Sequence, residues 1–114
     1  MRYYETHTLA IAEGEALSGI LDVRRVSEVW LLMPAEWTAA VLGVKVAPAV
    51  DGTFVPLCDT AGDRVGFVVQ VDGVQVAPVS LAGAGFMKLW SNTAGVDEAQ
   101  ELERVFTVML RAEV

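Results

Sequence analysis

Histidine and cysteine are nearly missing from this 114-residue chain, which has only His7 and Cys58. A single cysteine excludes an internal disulfide framework. A Ser-His-Asp triad or a histidine-based zinc site would have to use His7. That residue lies in Thr6-His7-Thr8, where a half-exposed strand position is the expected role. Cys58 has no histidine or lysine close in sequence to activate it, and is expected to fill space as a small core residue.

Positive charge is also scarce. Eight Lys and Arg stand against 15 Asp and Glu, a net charge of −7. Uniform acidity works against binding nucleic acid, whose phosphates need basic patches. It works equally against docking on anionic membranes. Long apolar runs are absent too. The run Val29–Met33 is five residues, far below the roughly 18 of a membrane-spanning helix. The opening Met-Arg-Tyr-Tyr-Glu-Thr-His has no apolar core of an export signal. With the lone cysteine, this leads to the expectation of a chain assembled in a cytoplasm.

What is plentiful is apolar residues, at 54%, against 20% charged. For a small domain that ratio implies that other chains cover some apolar surface. The length suits one domain over residues 1–114, with residues 1–5 as a candidate N-terminal arm. Tyr3 and Tyr4 in that arm are candidate partner contacts, with a frayed terminus as the alternative.

Period-two alternation dominates. Leu9 and Ile11 share a face in a first strand, and Leu17, Gly19, Leu21 and Val23 are in phase in a second. Leu42, Val44 and Val46 alternate with Gly43, Lys45 and Ala47. Asp51-Gly52 signals a tight turn, and Pro56 marks the following strand as an edge. Val65, Phe67, Val69 and Val71 alternate, and across Asp72-Gly73 the run Val74–Ala77 reads as the return arm of a hairpin. Phe86 to Trp90 places Met87 and Leu89 on one face and Lys88 and Trp90 with Phe86 on the other. Glu101 to Arg111 reads as a long final strand. Eight or nine short strands without a long helix predict an all-β fold, a single antiparallel β-sandwich of jelly-roll type.

The centre of this pattern is Ser27 to Val46. Val29–Met33 reads as a strand covered on both faces, ended by Pro34. Pro34 to Ala39 then fits one short helical turn, with Glu36 near its positive end. Trp37 is read as a plug over one end of the core. Trp30 must face away from Val29 and Leu31. Core is the favoured role for it, and partner contact the alternative if that side is open.

No constellation for catalysis stands out. Asp51, Asp59, Asp63 and Asp72 could gather at one end of a sandwich, but their spacing matches no EF-hand loop, and Asp-Gly turns occur for backbone reasons alone. Gly83-Ala84-Gly85 is too short for a phosphate cradle. These readings predict no enzyme activity, no metal and no cofactor.

Several ordered features resemble a family of small structural proteins of tailed phages, prophages and gene-transfer particles. They are Ala16-Leu17-Ser18-Gly19, the turn Met33-Pro34-Ala35-Glu36-Trp37-Thr38-Ala39-Ala40, and Asp51-Gly52-Thr53 with Pro56-Leu57 and Asp59. Phe86-Met87-Lys88-Leu89-Trp90-Ser91, Gln100 and Val108-Met109-Leu110-Arg111-Ala112 complete the likeness. The Met-Pro-Ala-x-Trp-Thr-Ala turn is its most specific part. The resemblance implies a virion-associated, non-catalytic β-sandwich. On that basis the expected role is a head decoration or accessory protein on the capsid, with a vertex spike base, neck or tail position as variants. Expected partners are other virion proteins, the major capsid protein first, together with copies of this chain as a homo-oligomer or on a lattice. Tyr3, Tyr4, Trp30 and Trp90 are the candidate contacts. A carbohydrate-binding module is the rival reading; it requires Trp30 or Trp90 exposed beside polar side chains.

Overall fold

A computed structural model describes residues 2–78, 81 and 83–113. The alternating stretches form two antiparallel sheets. In sheet A, β1 (Arg2–Ile11), β10 (Arg104–Glu113), β3 (Val26–Leu32) and β7 (Val74–Val76) lie side by side in that order. Sheet B runs β2 (Leu21–Asp22), β8 (Phe86–Thr93), β4 (Val41–Ala47) and β5 (Val55–Pro56). Two further strands join it, β6 (Gly66–Phe67) on β4 and β9 (Val96–Asp97) on β8. The protein is an all-β sandwich, as the alternation requires.

The core lies between the sheets. Sheet A contributes Leu9, Ile11, Val29, Leu31, Phe106, Val108 and Leu110, and sheet B contributes Leu21, Leu42, Val44, Met87 and Leu89, all buried. Each such side chain is worth about 1.5–3 kcal/mol when taken from water, so phase along each strand decides which face turns inward. Trp37 caps one end of this core. Its ring meets Phe106 edge-on at 5.8 Å and 72°, and its indole N–H donates to the Ala40 carbonyl.

Several local expectations give way to tertiary bonding. The helical turn at Pro34–Ala39 is not formed. A helix would take the Pro34 carbonyl to the Thr38 N–H. Instead that carbonyl accepts from Asp72 N at 3.3 Å, and Thr38 N donates to Gln100 Oε1 at 3.0 Å. Glu36 therefore has no helix end to cap; it lies 3.9 Å from the Arg104 guanidinium.

The expected hairpin of Val65–Val71 with Val74–Ala77 is likewise absent. Gly66–Phe67 pairs with β4 in one sheet, and Val74–Val76 pairs with β3 in the other. The chain crosses between layers here. Val65 and Phe67 are buried and Val69 packs on the core, so the alternation reports contact with the core rather than with a hairpin partner. Gly66 fits only as glycine, because an added Cβ would stand 2.5 Å from the Leu42 carbonyl oxygen.

The run Ala16–Val23 also breaks phase. Ala16 and Ser18 are buried, then Leu21 and Val23, across exposed Gly19-Ile20. Only Leu21–Asp22 joins a ladder. At the N-terminus, Arg2–Glu5 is not an arm. It is the first half of β1, paired residue by residue with Glu113–Leu110; Met1 lies outside the described residues.

Candidate docking surface

The outer face of sheet A is open. Cross-strand partners share a face, so the register fixes its side chains. One row runs Thr6, Met109, Trp30, Val76; the next runs Thr8, Thr107, Leu32, Val74; Ala10 and Val105 follow. Strands lie about 4.8 Å apart, so each four-strand row is about 14 Å across. Trp30 is 40% exposed, Val76 50%, Val74 53% and Val105 45%. The face is flanked at one end by Tyr4, Arg111 and Glu28, the next row in register. There the Arg111 guanidinium bonds Glu28 at 3.2 Å and lies 5.9 Å from the centre of the Tyr4 ring. A β-bulge at this end lets the Ser27 hydroxyl donate to the Arg111 carbonyl.

Of the four candidate contacts, Trp30 and Tyr4 lie on this face. Trp30 is thus not a core residue, because no layer of the described residues lies over the outer side of the sheet. The Tyr3 side chain lies outside the described part of the structure. Trp90 is 2% exposed and cannot serve as a free surface contact. The alternation rightly turns it away from Met87 and Leu89, but its side of sheet B is covered. It lies opposite Gly43, whose missing side chain leaves room for the indole. The Lys45 ammonium sits 4.6 Å from the ring centre, and the indole N–H donates to Asp97 of β9 at 2.7 Å.

The sequence reading missed Met109, Leu32, Val74 and Val76. The signal was present: β3 carries apolar residues in both phases, and β10 carries Val105 and Met109 opposite its core-facing set.

A second feature is a cleft of about 700 Å³ at the side of the sandwich, between β1 and β2. Glu5, His7, Asp22, Arg24 and Arg25 reach it. His7 Nε2 bonds Glu5 at 2.8 Å and is half exposed. Arg24 is held by Asp22 at 2.8 and 3.0 Å and stacks 4.7 Å over Phe86. The two hydrogen bonds from the Arg24 side chain and its backbone N–H hold the Asp22 carboxyl below the ordinary carboxylate range. The cleft lining includes no Ser, Thr or Cys to act as nucleophile.

No family model, curated protein or solved structure matches this chain. Function therefore has to be argued from the surfaces themselves.

Two remaining sequence expectations meet the structure here. Cys58 is exposed rather than buried, because it lies in the loop after the edge strand β5, where only a single bridge to Arg64 forms. The aspartates form no metal cluster among the described residues. The Asp59 carboxylate instead accepts from the Ala61 and Asp63 N–H groups at 2.9 and 3.0 Å, closing its own loop.

Proposed function

We propose that this chain is a non-catalytic adhesion subunit of a phage or phage-like particle, in the first instance a head decoration protein that docks on the capsid through the outer face of sheet A. The observation that carries the reading is the open stripe of Trp30, Met109, Leu32, Val74 and Val76. An exposed aromatic with Val76 and Met109 across the sheet, Leu32 on one side and the mutually bonded Arg111–Glu28 pair on the other, has the composition of an interface centre with a polar rim. The Met33–Ala40 turn that carries the resemblance supports it indirectly. Its residues are tied into the core through Trp37 and Thr38, so it serves as scaffold for β3 and hence for Trp30. The carbohydrate-module alternative fits less well. The cross-strand neighbours of Trp30 are Val76 and Met109, which offer no hydrogen bonds to sugar hydroxyls, and the polar groups in the adjacent row, Glu28 and Arg111, bond one another.

The test is reconstitution on particles that lack the protein, read by cryo-electron microscopy. Added density is expected with the natural chain and none with Trp30→Asp. Absence of density with the natural chain on any particle, at head, neck or tail, would overturn the reading.

A further inference from the structure

Every sheet has two edges, and exposed edges invite pairing, so folded proteins keep them short or guard them with Lys, Pro or a bulge. Three of the four terminal strands in this sandwich follow that rule. β7 has three residues, and β2 and β5 have two each. β1 is the exception in length, and the guard it carries is an acid, Glu5, in phase with core-facing Leu9 and Ile11. It runs ten residues as Arg-Tyr-Tyr-Glu-Thr-His-Thr-Leu-Ala-Ile, with no Lys, Pro or Gly. It is the outermost strand of sheet A, and among the described residues one bridge on its free side, Ile11 to Ser18, closes the far end.

We propose that β1 pairs with β1 of a second copy, antiparallel and about a two-fold axis at Thr6, joining two four-stranded sheets into one of eight. The occupant is argued from self-complementarity, which an isologous contact demands. With Thr6 opposite the partner's Thr6, Glu5 faces the partner's His7 and Tyr4 faces the partner's Thr8. Each Glu5 carboxylate then meets an imidazole, which donates to it whether charged or neutral. Moving the two-fold axis by one residue, a two-residue slip in register, sets Glu5 against Glu5 or His7 against His7, the like-with-like pairing that sheets avoid. Two-fold pairing also keeps both cores on one side and both Trp30 faces on the other, doubling the apolar face. The inference stands apart from the particle reading, since it concerns the isolated protein.

The experiment is sedimentation velocity across a concentration series on the full chain, joined to disulfide trapping in a Cys58→Ser background. Opposed residues lie about 4.5–5.5 Å apart between Cα atoms, within disulfide reach. Thr6→Cys should therefore give a covalent dimer on mild oxidation. Thr8→Cys should not, because the two Thr8 positions would be four residues out of register, about 13 Å apart. Both positions are exposed and outward, so folding is expected to be unaffected, checked by circular dichroism. Glu5→Ala should weaken the dimer about tenfold, because both His7 imidazoles lose their cross-strand acceptor. A protein that stays monomeric at every concentration, or dimers that Thr8→Cys traps as fast as Thr6→Cys, would overturn the proposal.

Discussion

Gln100 grips the backbone of Thr38 from both sides. Its Oε1 accepts the Thr38 N–H at 3.0 Å and its Nε2 donates to the Thr38 carbonyl at 3.3 Å. The same amide donates to Ser91 Oγ at 2.9 Å and accepts from Arg104 Nε at 3.0 Å. One fully buried side chain thus joins the turn after β3 to β8 and to the start of β10.

Removing that amide leaves several buried polar groups without partners, each costing about 1–3 kcal/mol. Gln100→Ala should therefore destabilise by about 3 kcal/mol, measured by urea denaturation. Since Gln100 anchors the turn that caps the core, the near-ultraviolet signal of Trp37 should weaken before global unfolding.

The two tryptophans on outward strand positions should separate function from stability. Trp30→Ala removes a half-exposed ring and should cost about 1 kcal/mol, while the proposed docking on particles should be lost. Trp90→Ala empties a buried site and should cost about 3–5 kcal/mol. Thermal melts and particle binding on both variants check the contrast; equal stability losses would contradict the assigned burial.

Gly85 carries two constraints. Its φ is +102°, and an added Cβ would stand 2.8 Å from the Ala47 carbonyl oxygen. Its own carbonyl accepts from Val23 N at 2.9 Å, so a shift would be felt across the start of β8. Gly85→Ala should destabilise by about 2 kcal/mol or more, whereas Gly62→Ala, with open space around it, should suffer only the backbone penalty.

The Asp22–Arg24 pair gives a pH test. The Arg24 hydrogen bonds lower the Asp22 pKa beneath its ordinary 3.8. A depressed carboxylate adds stability that is present above the ordinary value and is lost as pH falls through the lowered one. The pair is exposed, so the change in stability should be small. Titration followed by carboxyl carbon chemical shifts should place Asp22 below 3.8, and Arg24→Ala should raise it back.

Strand periodicity was legible wherever a strand had one buried face. Leu9 with Ile11, Phe106 with Val108 and Leu110, and Met87 with Leu89 all face inward as their alternation requires. The candidate docking face was legible only in part. Trp30 was singled out, but its exposure depends on whether a third layer lies over sheet A, which a strand's own residues do not encode.

Composition and alternation by themselves determined an all-β chain with two apolar inner faces, because a pleated strand sorts its side chains by parity alone. Tertiary structure decided the rest. It turned Val65–Val71 and Val74–Ala77 into partners of different sheets, unwound the Pro34 turn through Gln100 and Asp72, and buried Trp90 under Lys45 and β9 while leaving Trp30 bare. Those outcomes rest on bonds between residues far apart in the chain. Backbone donors and acceptors take whichever partner the packed layers bring near, and local sequence names the donor without naming the partner.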